Sequence, residues 1–426
     1  WGAEVRTLVL GADGFIGRHI AYALRSGGHA VIASARRTEG LSAMGFDVLR
    51  ADLTDPATHD ASFWRPYLEG GTHVINAAGL LTGPNAAFAA VHRDVPRAVY
   101  EAIDGGHAVL ISAVGIDADT PFARWRCEGE AIAEKAGATI LRPGLVLADT
   151  SYGGSSALRA FAAFPFLRPL VGTGLEPFNP IHAEDLARVV IACLSDPPGP
   201  GPAGGAWEIG GPEMTTQTAL SAALRQWLGL RPAGGLPLPL RVARLLGRIG
   251  DALRIGPISV TAVNQLATGV LANPQPLLSR LGLTVAPVGQ FLSRRPAGTQ
   301  DLWQARLYLL KPLVRLTLAA MWLVSGFLGL LLPAASFPAE LSALPVPVAL
   351  TTAKAGGLID LAFAALLLRN IAPRKTALGQ IALVLAYTIG LTLLAPGLWL
   401  APFGELLKNL PVLALLLVHL ALVEER

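Results

Sequence analysis

A glycine-rich turn between an apolar strand and a helix lies almost at the start of this 426-residue chain. Gly11, Gly14 and Gly17 stand in the sequence Val-Leu-Gly-Ala-Asp-Gly-Phe-Ile-Gly. In a βαβ unit the first glycine allows a tight turn, the second lets the backbone approach a pyrophosphate, and the third packs helix on strand. The spacing predicts a dinucleotide site, with an empty glycine-rich turn as the alternative.

Apolar segments that alternate with helical segments predict six strands in the first 150 residues. These strands cover residues 6–10, 31–35, 46–50, 74–79, 108–113 and 139–144. Such alternation is typical of a parallel sheet, whose ligand crevice lies at the carboxyl ends of the strands. The predicted fold of this part is an α/β doubly wound parallel sheet of the Rossmann type.

Arg36 and Arg37 follow the second predicted strand, where an NAD-binding protein places an acidic residue. An acid would bind a ribose 2′-OH, whereas a guanidinium matches a 2′-phosphate. The pair favours NADP(H) over NAD(H), and solvated loop arginines are the alternative.

Several motifs occur in a fixed order over residues 6–229. They are the glycine turn, Asp52-Leu53, Asn76-Ala77-Ala78-Gly79, Ser112, Arg142-Pro143-Gly144 and Pro180-Ile181-His182-Ala183-Glu184-Asp185-Leu186. In these motifs the chain resembles the short-chain dehydrogenase/reductase superfamily, in its atypical branch with a GxxGxxG turn. Within that branch it is similar to the NADPH-binding accessory subunits of complex I and their bacterial relatives, which bind NADPH without evident turnover.

The chain departs from that superfamily at the residues that carry its chemistry. A Tyr-x-x-x-Lys pair usually supplies the proton, and Phe122 and Arg126 occupy those two positions here. Phenylalanine carries no proton, and arginine stays charged near neutral pH while still able to hold the nicotinamide ribose. Without general acid catalysis, hydride transfer is expected to be slow rather than forbidden.

Candidate site residues follow from the motifs and from this resemblance. Substitute catalytic candidates are Ser112, Tyr152 and His182, for which the structural alternatives are a strand cap, a loop anchor and a hydrogen-bonded strand-end residue. The cofactor-binding candidates are Gly11, Asp13, Gly14, Phe15, Ile16, Gly17, Arg36, Arg37, Asp52, Leu53, Ala77, Ala78, Gly79, Ser112, Arg126 and Pro143.

A mean hydropathy of +0.49 with only 15% charged residues indicates that part of the chain lies in lipid. Four apolar segments of near-spanning length predict transmembrane helices. They cover residues 312–332, 348–368, 377–395 and 403–423. The second half of the predicted fold is therefore an all-α four-helix transmembrane bundle.

This bundle resembles the DoxX-like membrane family, whose members accompany redox proteins. The resemblance lies in Trp322-Leu323-Val324-Ser325-Gly326 and Leu407-Lys408-Asn409-Leu410-Pro411. The predicted domains are 1–235 for NADP(H) binding with substrate-lobe elements, 236–300 for a helical lobe and linker, and 301–426 for the membrane domain. The amphipathic run 240–249 in the lobe suits either a membrane surface or packing on the first domain.

Lysine and arginine residues lie at the start of the first span and in the link between the second and third spans. The other two links contain no lysine or arginine. The positive-inside rule predicts a multi-pass protein of the inner (cytoplasmic) membrane, with the nucleotide domain and both termini in the cytoplasm. Asp360 in the second span needs a polar partner. A hydrogen bond to Tyr387 is the favoured interpretation, and a quinone or proton site is the other.

Some classes of function are disfavoured. The sequence has no basic cluster interleaved with aromatic residues, so it does not predict binding to nucleic acid. The histidines are scattered singly, so they predict no metal site. The expected function is an accessory or nucleotide-sensing component of a membrane redox system. Membrane lipid, a quinone and subunits of a membrane redox complex are the candidate partners. The alternative is an NADPH-dependent reductase of a quinone or lipid carbonyl, so activity as an NAD(P)H-dependent oxidoreductase stays open.

Overall fold

A computed structural model describes residues 6–80, 83–116, 120–255, 258–333, 336, 345–402 and 404–424. The chain divides into two compact units. The first unit comprises Trp1–Gly247 and Val260–Leu302, and the second comprises Arg248–Ser259 and Trp303–Arg426.

The elements of the described residues are numbered in chain order. The strands are β1 (Arg6–Leu10), β2 (Ala30–Ala35), β3 (Asp47–Arg50), β4 (His73–Asn76), β5 (Ala108–Ile111), β6 (Thr139–Pro143), β7 (Val146–Leu147), β8 (Leu167–Val171), β9 (Pro177–Phe178), β10 (Ile181–His182), β11 (Ala206–Ile209), β12 (Thr215–Thr216) and β13 (Gly234–Leu238). The helices are α1 (Phe15–Ser26), α2 (Glu39–Ala43), α3 (Ala61–Leu68), α4 (Asn85–Ala89), α5 (Val95–Ala102), α6 (Pro121–Lys135), α7 (Gly154–Ala162), α8 (Ala183–Ser195), α9 (Gln217–Trp227), α10 (Leu240–Ala252), α11 (Val260–Thr268), α12 (Gln275–Leu281), α13 (Val288–Ser293), α14 (Thr299–Leu331), α15 (Val346–Leu368), α16 (Pro373–Leu394) and α17 (Asn409–Leu422). A π-helical stretch at Ala90–Asp94 joins α4 to α5.

The main sheet of the first unit has seven parallel strands in the order β11-β6-β5-β4-β1-β2-β3. This confirms the predicted doubly wound parallel sheet, and the six predicted strands are present as β1 to β6. The seventh strand, β11, was not predicted. It follows a Pro/Gly-rich loop and consists of Ala206-Trp207-Glu208-Ile209, whose Glu208 interrupts the apolar run that marked the other strands.

The sheet is covered on both faces because successive side chains of a strand point to opposite sides. In β1, Val9 joins the apolar cluster of α1 and α8, whereas Leu8 and Leu10 join the cluster of α3 and α5. All three side chains are at most 1% exposed. The strand order reverses between β1 and β4, which is where such sheets form a ligand crevice at the carboxyl ends of the strands.

The short helices predicted after the sheet are present as α10 to α13. In the amphipathic α10, Ala243 is buried, whereas Val242, Leu245, Leu246 and Ile249 are 44–56% exposed. Most of the apolar face of α10 is therefore uncovered.

The second unit contains three helices, α14, α15 and α16, that are long and apolar enough to cross a membrane. They correspond to the first three predicted spans. The fourth predicted span is wrong in its length, because α17 has only 14 residues and Phe403 lies outside the described residues. Gly404 has a left-handed φ of +59°, and proline is favoured in the first turn of a helix, which agrees with the start of α17 at Asn409, two residues before Pro411.

α14 is longer than predicted. It starts at Thr299 and keeps Pro312 in its interior. At about 1.5 Å per residue its 33 residues extend about 50 Å, which exceeds the roughly 30 Å of a bilayer core.

α14 and α15 pack closely through glycines. A Cβ on Gly326 would lie 2.8 Å from Gly357 O, and one on Gly357 would lie 2.7 Å from Gly326 O. One turn away, Ser325 Oγ donates a hydrogen bond of 2.6 Å to Asp360 Oδ2. The hydrogen bond predicted between Asp360 and Tyr387 is absent from the described residues: Ser325 bonds Asp360 Oδ2, and Asp360 Oδ1 has no partner there.

Candidate functional site

The glycine turn joins β1 to α1 at the reversal of the strand order. Gly11 has a φ of +73°, and a Cβ there would lie 2.9 Å from Ala78 Cα. A Cβ on Gly14 would lie 3.1 Å from Gly11 O, and one on Gly17 would collide with the same oxygen. Gly11 and Gly17 therefore need glycine for the turn, the helix and the neighbouring strand to pack, and a side chain on Gly14 would fit only if the turn shifted slightly.

The first turn of α1 fits an anion. Gly14 is its N-cap and no side chain caps the helix, so the N–H groups of Phe15, Ile16 and Gly17 receive no capping side chain. Arg18 Nη2 donates a hydrogen bond of 2.8 Å to Asp13 O, which sets a cation beside the turn. An uncapped helix N-terminus next to a close backbone turn suits a dinucleotide pyrophosphate.

Arg36 and Arg37 lie exposed after the carboxyl end of β2. The Asp52 carboxylate accepts hydrogen bonds from the Thr54 hydroxyl at 2.7 Å and from its backbone N–H at 3.0 Å. These two bonds hold the pKa of Asp52 below its usual range, and the charge of Arg36 adds to the effect. Arg36 thus lies within electrostatic range of Asp52, while Leu53 is half-buried beside it.

Small residues after β4 keep the turn and the next strands close together. Ala77 N donates to Leu10 O at 3.1 Å, and Asn76 Oδ1 accepts from Ala78 N at 3.2 Å. A side chain on Gly79 would collide with the guanidinium of Arg126. The segment after β4 therefore presents mainly backbone atoms to the crevice.

Ser112 and Arg126 meet at the carboxyl end of β5. Arg126 Nη1 donates a hydrogen bond of 2.8 Å to Ile111 O, and its Nε has no partner among the described residues. Burial lowers the pKa of Arg126 to about 10, and nearby Glu130 opposes that shift, so the guanidinium stays charged at neutral pH. The buried Ser112 hydroxyl also lacks a partner in the described structure. Both groups therefore have unmet hydrogen-bonding capacity at the carboxyl end of β5.

Phe122 lies one helical turn before Arg126. The Arg126 Cζ is 5.4 Å from the centre of the Phe122 ring, which is a cation–π distance. The ring thus stands beside the cation but has no proton to give.

His92 is a residue that the sequence interpretation missed. Its Nε2 accepts a hydrogen bond of 3.3 Å from Leu80 N, which requires the neutral ring. Burial and, to a lesser extent, the charge of Arg126 together lower the pKa of His92 to about 3. The π-helical stretch that carries this histidine departs from the usual helical pattern, so no sequence period could place it.

Pro143 ends β6 beside a buried ion pair. Arg142 binds Glu130 through two nitrogens, with a shortest distance of 2.6 Å, and Val114 N donates to Pro143 O at 3.1 Å. The pair links α6 to the sheet edge of the crevice.

Tyr152 lies against the glycine turn and is 55% exposed. Its ring is stacked on Phe15 with centroids 6.4 Å apart. His19 touches the other side of Phe15, and its Nε2 lies 2.8 Å from Thr150 Oγ1. His19 and Thr150 are 131 residues apart in sequence, so their contact could not be predicted from spacing.

His182 serves as a helix cap. Its Nδ1 accepts the N–H of Glu184 at 3.4 Å, and its side chain is almost fully buried against Phe291. Burial lowers the pKa of His182, although nearby Glu184 and Asp149 raise it. Both ring nitrogens thus face groups of the protein itself.

The structure brings most of the predicted residues to one crevice edge, at the ends of β1, β2, β4, β5 and β6. Within the described ranges, His, Cys, Asp and Glu side chains form no group of three that could hold a metal ion.

Two segments of the chain match known families in sequence. Residues 7–95 match the NAD dependent epimerase/dehydratase family, and residues 319–417 match the DoxX-like family.

A chloroplastic divinyl chlorophyllide a 8-vinyl-reductase from Oryza sativa subsp. indica is 30% identical over 278 residues. The match covers 59% of this chain and 65% of the reductase. The chain therefore spans less than two thirds of that relative.

Two solved structures share the fold at low identity. A putative epimerase from Burkholderia cenocepacia has a TM-score of 0.52 and 16% identity, with 71% of this chain and 98% of that chain covered. A dTDP-glucose 4,6-dehydratase from Bacillus anthracis, in complex with NAD, has a TM-score of 0.51 and 11% identity over 71% and 97%. At these identities the similarity shows an NAD(P)-binding type of fold and no more.

Proposed function

Since this chain joins an epimerase/dehydratase-type nucleotide domain to a DoxX-like membrane domain, we propose that it is a membrane-anchored NADP(H)-binding protein without ordinary turnover. It serves as an accessory or nucleotide-sensing component of a membrane redox system. One observation carries this proposal: Phe122 and Arg126 stand together where a proton donor would be needed, beside a glycine turn built for phosphates. In this proposal the chain binds the nucleotide but lacks the general acid that would protonate a substrate.

We assign the pyrophosphate to the first turn of α1, with Gly11, Gly14 and Gly17 as its glycines. The nicotinamide end belongs to Ser112 and Arg126, which have buried polar atoms without partners in the described structure. The remaining members of the assignment are Asp13, Phe15, Ile16, Arg36, Arg37, Asp52, Leu53, Ala77, Ala78, Gly79 and Pro143.

The preference for NADP(H) rests on Arg36 and Arg37. Both are exposed at the end of β2 and are free to meet a 2′-phosphate. Asp52 follows β3 and not β2, so it does not stand in the sequence position of the acid that would bind a ribose 2′-OH.

The alternative function is an NADPH-dependent reductase of a lipophilic substrate such as a quinone or lipid carbonyl. NADPH supplies a hydride when it is bound. Tyr152 favours this alternative, because its ring lies on Phe15 of the turn and is more than half exposed. His182 is a weaker proton donor candidate, since its Nδ1 caps α8. The reductase name of the Oryza relative agrees with this alternative.

We place the NADP(H)-binding domain at residues 1–235, the helical lobe and linker at 236–300, and the membrane domain at 301–426. The basic link between α15 and α16 supports an inner-membrane protein whose nucleotide domain and termini face the cytoplasm. The proposed partners are lipid, subunits of a membrane redox complex and a quinone.

The experiment is release of nucleotide from detergent-purified full-length protein, with identification by mass spectrometry and absorbance. NADPH consumption is then followed with a short-chain quinone. Stoichiometric NADPH that stays reduced supports the accessory or sensing function. Released NADP⁺ or steady oxidation supports the reductase, and protein that neither carries nor binds nucleotide refutes both.

A further inference from the structure

Three buried polar side chains of the membrane unit lack hydrogen-bond partners in the described structure. They are Trp322 on α14, Gln380 on α16 and His419 on α17, which are 3%, 0% and 1% exposed. The indole Nε1, both polar atoms of the amide and both ring nitrogens of the imidazole are unpartnered. We call these three side chains the polar layer.

The contacts between α16 and α17 place Gln380 and His419 at one depth. Arg374 pairs with Glu424 at 3.2 Å, and Asn409 donates to Thr388 at 2.9 Å, so the two helices are antiparallel with a defined register. Gln380 lies six residues after Arg374, and His419 lies five residues before Glu424. At about 1.5 Å per residue these are about 9 Å and 7.5 Å from the ion pair, which is the same level.

Trp322 lies at the same depth in the bundle as Gln380 and His419. Its ring centre is 5.4 Å from that of Phe363 on α15. A Cβ on Gly379, the neighbour of Gln380, would lie 3.2 Å from the Phe363 ring. Phe363 thus joins the level of Trp322 to the level of Gln380.

Apolar side chains of the helical bundle pack together at this depth. Leu318, Trp322, Val384 and Leu416 belong to one apolar cluster that draws on all four helices. His419 also lies within electrostatic range of Arg315 on α14. The polar layer therefore faces the interior of the bundle, where water is scarce and an unmet hydrogen bond is costly.

We propose that the polar layer binds the carbonyl group of a lipophilic molecule. An indole N–H can only donate, so its partner must be an acceptor, and a carbonyl oxygen is the acceptor that a lipophilic molecule commonly offers. Gln380 and neutral His419 each offer a further donor, and the rings of Trp322 and Phe363 suit a flat or apolar remainder. The carbonyl can belong to a quinone or to a lipid ester, and the test below separates the two.

The proposed carbonyl site is separate from the nucleotide site, so either one can be refuted without the other. Full-length protein in lipid nanodiscs is titrated with decylubiquinone or with methyl laurate, and tryptophan quenching or thermal stabilisation reports saturable binding. The variants are Gln380→Leu, His419→Leu and Trp322→Phe. Thr388→Val is the control, because Thr388 is a polar residue of the same helix whose hydroxyl already has partners.

We expect the two leucine variants to weaken binding at least tenfold and Thr388→Val to change it less than twofold. Loss of decylubiquinone binding identifies a quinone, and loss of methyl laurate binding identifies a lipid ester. His419→Gln keeps a donor and should recover part of the affinity, which guards against variants that fail to fold. NADPH binding should be the same in all folded variants.

Two results would overturn the proposal. One is the absence of saturable binding of either probe to the parent protein. The other is equal affinity in the parent and the leucine variants, accompanied by greater stability of Gln380→Leu. That outcome would show that the amide is merely an unsatisfied buried group whose removal helps folding.

Discussion

Reversing the charge of Arg36 tests the assignment of the 2′-phosphate site. In Arg36→Asp the guanidinium is lost and a carboxylate is placed within range of the ionised Asp52. A hydrogen bond between charged groups contributes about 1.5–3 kcal/mol. Because Arg36 is exposed, solvent screening favours the lower half of that range.

Repulsion between the new carboxylate and a 2′-phosphate adds to the loss. We therefore expect NADPH affinity to fall about 10- to 100-fold, at about 1.4 kcal/mol for each factor of ten. NADH has no 2′-phosphate, and an aspartate there can accept from its ribose hydroxyl. Its affinity should change less than threefold.

The assay is equilibrium binding of NADPH and NADH to full-length protein in detergent, by nucleotide fluorescence. Arg65→Asp is the matched control, since Arg65 is an exposed arginine on α3 outside the assigned site. Equal losses for both nucleotides in Arg36→Asp would refute the 2′-phosphate assignment. A similar loss in Arg65→Asp would mean that only the net charge matters.

Three other predictions concern the acid, the buried histidine and the topology. Phe122→Tyr should raise NADPH oxidation with a short-chain quinone by about 10²–10⁴-fold, because the new hydroxyl would lie beside the Arg126 cation; an unchanged rate in a variant that still binds NADPH would contradict the idea that the acid is limiting. The pKa of His92 is about 3 in the folded protein against about 6.5 for a solvent-exposed histidine, so unfolding takes up a proton and stability should fall by about 1.4 kcal/mol per pH unit below 6.5. Urea unfolding at pH 6.5 and pH 5 should show a steeper loss of stability in the parent than in His92→Gln, which keeps the other buried histidines, and identical slopes in the two proteins would count against it. Cys127 is exposed and Cys193 is buried, so a membrane-impermeant maleimide should label Cys127 only after spheroplasts are lysed, whereas labelling of intact spheroplasts would reverse the orientation.

The sequence was sufficient for features that depend on neighbouring residues. The glycine turn and six strands could be predicted because their signals lie within a few residues, as in the apolar run of β1. The four residues of β11 were missed because strand pairing with β6, not local pattern, makes them a strand.

The remaining differences between prediction and structure involve contacts between residues that are far apart in the sequence. Asp360 was expected to bind Tyr387, but its position on α15 depends on the glycine contact that brings Ser325 within 2.6 Å. The contact of His19 with Thr150 depends on how α1 meets the loop after β7. Helix depth could be estimated from hydropathy, whereas the face of each helix that turns inward could not.

The glycine contact between α14 and α15 also restricts how the membrane unit can move. If α14 slid along α15 by one helical turn, about 5.4 Å, in the direction that brings Trp322 to the place of Gly326, the indole would meet Gly357, where even a Cβ has no room. In the other direction the turn brings Gly329, a second glycine that already lies against Gly357. The α14–α15 contact therefore resists sliding in one direction only, toward the side chain of Trp322.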